Sequence, residues 1–350
     1  MPFSDVQHQL QTWQDRVLGI VVFSESDSAN LNLLQQDVPT LHLNAPVLTG
    51  EDIACEVWLS DIPAVSQNAG QRLISGRQGG IKYRFNDELL FGVIHLEEST
   101  VLQDTSMQND RITPLQQATK LAYRQIFELI DDLGYSHLFR FWNYMADING
   151  SSHDLERYRQ FNVGRKQALV NYDREAGSQL PAACALGLTE GPLSIAFLAG
   201  RTEPVAIENP RQIKAYDYPE QYGPRTPSFS RATLLNIEQQ ATLFISGTAS
   251  IVGHQTLHAM DIAGQTRETL VNLDAVIAEA NRIMNEPKFS LNDVFLRVYI
   301  RYAEDLALVR TELQNYLKGE IKAMFIQADI CRPELLIEIE ATIQSVVATT

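Results

Sequence analysis

Apolar and polar residues alternate along this chain in two periods, about 2 and about 3.6, and the order in which the periods change occurs twice. Residues 81–85 and 89–96, parted by Asn86-Asp87, read as a β-hairpin. Thr113-Pro-Leu-Gln116 combines an N-cap, a proline at the first helical position and a capping-box glutamine. Leu115, Ala118, Ala122, Ile126, Leu129 and Leu133 follow as a helical stripe, with Gly134 as the C-cap. A strand at 137–145, a helix over about 154–170, and strands at 181–187 and 193–198 complete the set. Residues 201–222, with three prolines and three tyrosines, read as a linker.

After it the same order returns. Residues 232–235 and 241–246 predict a hairpin. Asp261 opens a helix with Leu270, Leu273, Ile277, Ala280 and Met284 on one side. A strand at 293–301, a helix from Asp305 to near Gly319, and strands at 323–327 and 335–340 follow. Asp154-Leu-Glu-Arg-Tyr-Arg159 matches Asp305-Leu-Ala-Leu-Val-Arg310. A repeat of roughly 125–150 residues is far longer than a solenoid period, so it predicts duplicated domains. Mostly antiparallel sheets with helices packed on one face make this an α+β chain. Ahead of the repeats, 17–23, 41–43 and 54–59 predict short strands, and 75–80 a turn-rich break. The predicted division is a divergent β-rich segment, 1–75, a first repeat, 76–205, and a second, 206–350.

The closing strand holds the candidate chemistry. Leu335, Ile337 and Ile339 alternate with Leu336, Glu338 and Glu340, and Cys331 stands just before them. One reading is an antiparallel strand with a wet face. The other makes Glu338 a proton donor in a pocket lined by Cys331, which requires burial or a neighbouring anion to raise its pKa. Glu340 is a candidate for that anion. Cys331, taken without any resemblance, reads rather as a small buried apolar residue.

Composition narrows the setting. Hydrophobic residues form 45% of the 350, enough for a sizeable core. No apolar run of about 18 residues marks a transmembrane helix. Residues 1–10 lack the basic start and apolar core of a signal peptide. Cys55, Cys184 and Cys331 are too scattered for a disulfide framework, so a cytoplasmic location is expected. A net charge of −15 argues against nucleic-acid binding. The one basic cluster, 157–166, suits a small anion.

His254, His258 and Asp261 have the residue types of a non-haem iron site, but their spacing converges only on a continuous helix, which the local glycine and helix cap argue against. A loop histidine pair and a capping aspartate is the other reading. Tyr158 and Arg165 share one helix face, while Arg225 and Arg231 flank Thr-Pro-Ser-Phe-Ser. Such arginines either fork onto carboxylates or stand as surface charges. Ser246-Gly-Thr-Ala-Ser250 is a tight turn, or a place where a ligand meets the backbone closely.

The second repeat resembles the RidA/YjgF fold. The residues concerned are Tyr222-Gly-Pro-Arg-Thr-Pro-Ser-Phe-Ser-Arg-Ala232, Leu243-Phe-Ile-Ser-Gly-Thr248, the helix opened by Asp261, and Ile337-Glu-Ile-Glu-Ala341. That superfamily's carboxylate-binding arginine is replaced by Ala323 and Met324, so an anion would be held from elsewhere. Over roughly residues 75–345, Phe139-Arg-Phe-Trp-Asn-Tyr144, the 156–166 segment, Pro181-Ala-Ala-Cys-Ala-Leu-Gly187 and the 219–231 segment are similar to the chorismatases. The resemblance implies tandem RidA/YjgF-like (chorismate-mutase-like) domains and chorismate as substrate. With Cys331 seven residues before the acid Glu338, it implies the subclass releasing pyruvate and 3-hydroxybenzoate, some relatives also giving 4-hydroxybenzoate. The Ala-bearing subclass hydrolyses chorismate to a dihydroxycyclohexadiene acid.

By matching position the resemblance implies that Tyr158, Arg165, Arg225 and Arg231 hold the carboxylates, and that Gly247 and Ala249 floor the pocket. Cys331 would shape the ring site. Neither metal nor cofactor is implied. RidA-like rings place pockets between subunits. Two repeats plus the first 75 residues imitate such a ring, so a monomer is expected. The alternative from another class is a non-catalytic small-molecule-binding protein of the same fold.

Overall fold

A computed structural model describes residues 13, 15–24, 37–49, 53–60, 73–101, 112–237 and 240–346, and the reading of residues 1–10 lies outside them. The N-terminal segment forms β1 (Val17–Ser24), β2 (Thr40–Asn44) and β3 (Ile53–Leu59). The first repeat follows as β4 (Ile74–Gln78), β5 (Ile81–Phe85), β6 (Leu89–Leu96), the single turn α1 (Glu98–Val101), α2 (Pro114–Leu133) and β7 (His137–Ala146). It closes with the ribbon β8 (Ser151–Ser152) and β9 (Leu155–Glu156), then α3 (Arg157–Asn171), β10 (Ala182–Leu188) and β11 (Leu193–Gly200). The second comprises β12 (Val205–Ile207), β13 (Ala232–Ile237), β14 (Gln240–Thr248), the ribbon β15 (Ile251–Val252) and β16 (Gln255–Thr256), and α4 (Ile262–Met284). β17 (Phe295–Ile300), α5 (Leu306–Tyr316), β18 (Ala323–Gln327) and β19 (Ile337–Val346) complete it.

The capping chemistry acts as its residues dictate. Thr113 accepts from the Gln116 N–H at 3.2 Å, and Gly134 ends α2 in the left-handed region at φ 73°. Both six-stranded sheets have one topology: β4-β5-β6-β11-β7-β10 and β12-β13-β14-β19-β17-β18. In each, one outer pair is parallel, β7 with β10 and β17 with β18. The returning strand, β11 or β19, is antiparallel to both neighbours. The N-terminal sheet, β2-β1-β3, has a parallel and then an antiparallel pair. That is the order of β10-β7-β11 and β18-β17-β19, a third and shorter copy of the same half-sheet.

The helices cover the outer faces of the two large sheets, and the inner faces of all three sheets meet in one core. At its centre stand Phe23 of β1, Tyr144 of β7 and Tyr299 of β17, with ring centroids 6.2, 6.4 and 6.4 Å apart. This near-equilateral triangle marks a pseudo-threefold axis. The residues opposite them across the ladders are Ala54, Ser194 and Glu338. Of these three equivalent positions, one carries a carboxyl group.

A buried ionic network spans the same centre. Glu340 of β19 accepts from Arg140 of β7, from Arg297 of β17 at 2.6 Å, and from the Tyr299 hydroxyl at 3.0 Å. Arg297 also donates to Glu56 of β3. Each of the three sheets thus contributes a charge to one cluster.

Four expectations change. Residues 75–80 are not a break, because β4 pairs with β5 along Ile74–Gln78. Residues 201–222 are not a linker: β12 pairs with β13, and two 3-10 turns, Ala215–Asp217 and Glu220–Tyr222, pack beside it. The second helix starts at Arg157 rather than Asp154, since His153 and Asp154, at φ 54° and 59°, form the turn between β8 and β9. The last strand has no wet face. Ile337 and Ile339 pack in the helix-side core, while Glu338 and Glu340 turn inward, 4% and 3% exposed.

If the N-terminal sheet is integral to the core, Phe23→Ala should cost about 3–5 kcal/mol. Urea unfolding would measure it, and a loss below about 1 kcal/mol would mean that the axial triangle is not a packing unit.

Candidate active site

A cavity of about 390 Å³ lies between the two repeats, a size that suits a small molecule. One wall is the start of α3, with Glu156, Tyr158 and Arg159. The strap over 212–231 adds Tyr218, Tyr222, Phe229 and Arg231, and the end of β14 adds Gly247 and Ala249. Cys331, Arg332 and Glu334 of the turn before β19 complete it with Glu338.

Glu338 is placed by its strand and by a bulge opposite. The β14–β19 register shifts between Ile245 and Thr248. The bulge would strand polar backbone groups, but Arg140 donates to the Ile245 carbonyl at 2.7 Å. The Ser246 hydroxyl donates to the Ser230 carbonyl at 2.6 Å and accepts from the Ala183 N–H at 2.9 Å, which ties the bulge to the first repeat. Gly247 leaves room that any side chain would take from Glu338. A Cβ there would lie 1.9 Å from Glu338 Oε1, so the group that approaches this backbone closely is the carboxyl itself.

Glu338 Oε1 is buried without a hydrogen-bond partner among the described residues. Burial raises its pKa first and the Glu340 anion next, with Arg140 opposing, to about 8. Glu340 titrates the other way: despite its burial, Arg297 and Arg140 hold it below the usual carboxylate range. Two carboxyls on one strand face therefore differ in charge at neutral pH. Burial pushes the Cys331 thiol up to about 12, and it raises the Tyr158 phenol as well. Both stay neutral, and Cys331 offers no thiolate nucleophile.

The cations in the lining differ in part from those expected. Arg231 lines the cavity, 5% exposed, and donates to the Ile213 carbonyl at 2.8 Å and the Tyr218 hydroxyl at 2.9 Å. Arg165 lies off the lining, buried in α3, where it donates to Asn162 Oδ1 at 2.8 Å and packs over Phe161. Arg225 is exposed and also off the lining. Arg159 and Arg332 stand in the lining instead. Arg159 pairs with Glu156 at 3.0 Å. Arg332 sits 4.1 Å over the Tyr222 ring and donates to the His254 carbonyl at 2.9 Å and Thr256 Oγ1 at 3.1 Å. Both were adjacent in sequence to residues already singled out, Tyr158 and Cys331. A helix start and a tight turn carry no period that shows which neighbour points inward.

His254, His258 and Asp261 do not converge. Asp261 caps α4, accepting from the Gly264 N–H at 2.9 Å. His258 Nε2 faces Glu268 at 3.6 Å, and His254 Nδ1 lies 3.1 Å from the Tyr222 hydroxyl. A second cavity, about 570 Å³, lies further along the inner face of β19, where Glu340 is already bound to its arginines.

A protonated carboxylic acid in a cavity lined also by three guanidiniums can give a proton to a bound small anion. Comparison with known proteins agrees. Residues 65–199 match the family model "Chorismatase FkbO/Hyg5-like, N-terminal". A 3-hydroxybenzoate synthase from Streptomyces hygroscopicus is 34% identical over 336 residues, spanning 93% of this chain and 91% of the relative. A chorismatase from the same organism is 38% identical over 293 residues, spanning 82% and 78%. A chorismatase crystal structure matches with a TM-score of 0.79 at 34% identity, covering 94% of this chain and 93% of that one. The chain belongs to the chorismatase family of enzymes.

The raised pKa has a consequence for stability. The folded state holds a proton on Glu338 up to about pH 8, whereas the unfolded carboxyl releases it near 4.5. Its burial is therefore tolerated at low pH and costs stability increasingly as pH rises between these values. Glu338→Gln should raise Tm by an increment that grows from about pH 4.5 to about pH 8 and then levels. An increment independent of pH would show that the carboxyl is not buried in its acid form.

Proposed function

We propose that this protein cleaves the enolpyruvyl ether of chorismate to pyruvate and 3-hydroxybenzoate, with Glu338 as the acid. The observation that carries the reading is the buried carboxyl of Glu338, its Oε1 without a hydrogen-bond partner among the described residues, in a cavity lined also by Arg159, Arg231 and Arg332. Chorismate brings two carboxylates and a vinyl ether, so its pocket needs cations and one proton donor. The names of the similar proteins support the substrate and the product.

In this reading Arg231, Arg332, Arg159 and Tyr158 hold the carboxylates, and Gly247 and Ala249 form the floor. Arg165 braces α3 from behind, and Arg225 remains outside the first layer of contacts. Glu338 protonates the terminal methylene, which becomes the methyl group of pyruvate, and the ether becomes an oxocarbenium ion. The adjacent ring hydroxyl loses its proton and attacks the ether-bearing ring carbon. That C–O bond breaks, and its electron pair completes the keto group of pyruvate. The bridging oxygen then stays on the attacked carbon while its bond to the carbon that bore the hydroxyl breaks. It takes back the hydroxyl proton as the phenol, and the ring proton lost from the attacked carbon as the ring aromatises balances the one given by Glu338. The products contain the atoms of chorismate, so no co-reactant is consumed. Cys331, a neutral thiol at the ring site, fills the space that an attacking water would need.

The first test is anaerobic incubation of chelator-treated protein with chorismate, reading pyruvate and both hydroxybenzoate isomers. Equal pyruvate and 3-hydroxybenzoate are expected, and in H₂¹⁸O the phenol should carry no label. Absence of pyruvate would end the proposal. Glu338→Gln should lower kcat by about 10²–10⁴-fold with substrate binding retained, and the parent kcat/KM should fall above about pH 8. Cys331→Ala should divert product toward the dihydroxycyclohexadiene acid with one solvent oxygen. An unchanged product would remove Cys331 from control of the branch.

A further inference from the structure

We propose that Glu340 is a positioning residue for the acid: a fixed anion that closes the charge balance of a buried cluster and so keeps Glu338 in its protonated form. This rests on Glu338 being the acid. The argument is a count of charges. Arg140 and Arg297, 2% and 3% exposed, bring two positive charges to the centre of the fold. Glu340 and Glu56 bring two negative ones, each hydrogen-bonded to those guanidiniums. The cluster is neutral without Glu338. Ionising Glu338 would add a third anion that no guanidinium is left to meet.

The geometry makes the coupling local. Glu338 and Glu340 are two residues apart on one face of β19, about 7 Å along the strand. At that separation in a protein interior, one charge shifts another group by about one to two pH units. The other groups facing Glu338 do not set its charge state. Cys184 from β10, Cys331 from the turn and Tyr158 from α3 are held neutral by burial. Tyr299, opposite on β17, is neutral and donates to Glu340. The cavity arginines have partners of their own: Arg159 is paired with Glu156, Arg231 acts on Glu208 and donates to the Ile213 carbonyl and the Tyr218 hydroxyl, and Arg332 donates to the His254 carbonyl and Thr256.

Glu56 extends the chain of charges to the N-terminal sheet. It lies outside the cavity lining, yet it compensates Arg297 and leaves Glu340 with a shared rather than an exclusive partner. The N-terminal segment thereby acts on the acid through three side chains.

The test uses charge-changing variants and two readouts: the alkaline limb of kcat/KM, and the protonation of Glu338 followed by difference infrared spectroscopy against Glu338→Gln. Glu340→Gln leaves the cluster one charge positive, and Glu338 should ionise about one pH unit lower. Arg140→Met leaves it one charge negative, and Glu338 should ionise about one unit higher. The double variant, neutral again, should return close to the parent. Glu56→Gln, at the solvent-facing end, should fold as the parent does and shift the titration down by less than Glu340→Gln. It covers the case in which a central variant does not fold. A purely structural role predicts lower rates with an unmoved titration, or shifts of one sign in every variant, and either result overturns the proposal. If Glu338→Gln retains the parent rate, the acid assignment fails instead, and the infrared titration still reports whether Glu340 governs that carboxyl.

Discussion

The Glu340 carboxylate is the interaction on which the rest of the structure depends. It is shared between arginines from two different sheets, and one of these reaches a third sheet through Glu56. Apolar packing fills the centre but does not fix direction, since Leu and Val faces tolerate sliding. A charged hydrogen-bond cluster tolerates little, because any slip leaves a buried ion without a partner. Replacing all four charges by apolar groups of similar volume need not destabilise the fold, whereas removing one alone leaves a buried charge uncompensated.

The same constraint separates two chemically identical side chains. Glu338 and Glu340 share a strand face and comparable burial, yet one is saturated by hydrogen bonds and the other has Oε1 unpartnered. Arg140 serves both ends of this arrangement. It binds the Glu340 carboxylate, and it caps the carbonyl that the β14 bulge leaves unpaired. The bulge brings Gly247 against Glu338, and the absence of a side chain there gives the carboxyl its seat. Anion, bulge and buried carboxyl are therefore one device, and none of them stands apart from the others.

Much of this was legible in the sequence. Both hairpins, the capped helix α2, the order of the repeat and the alternation carrying Glu338 follow from local rules, and all appear in the structure. What escaped reading depends on pairing or on burial from outside the segment. The first 75 residues gave strands, but nothing local shows that β2-β1-β3 copies the half-sheet that carries the parallel pair in each repeat. Residues 201–222 looked like a linker because prolines interrupt the period, yet they wall the cavity. The inward turn of Arg159 and Arg332, against the off-cavity places of Arg165 and Arg225, is set by a helix start and a tight turn. Glu340 read either as one more carboxylate on a wet face or as the anion that raises Glu338. Only a second sheet packed over β19 removes the water that would have screened it.

The triangle of Phe23, Tyr144 and Tyr299 has a consequence for how such a protein can change. In a ring of three identical subunits every substitution is made three times, and an acid suited to one seam must be endured at the other two. Here the three corners sit on one polypeptide and vary separately. Facing them are alanine, serine and glutamate: two corners relieved of chemistry and free to serve packing, and one where a poorly solvated proton can be kept. Three corners on one polypeptide accept asymmetry, residue by residue, where three identical subunits cannot.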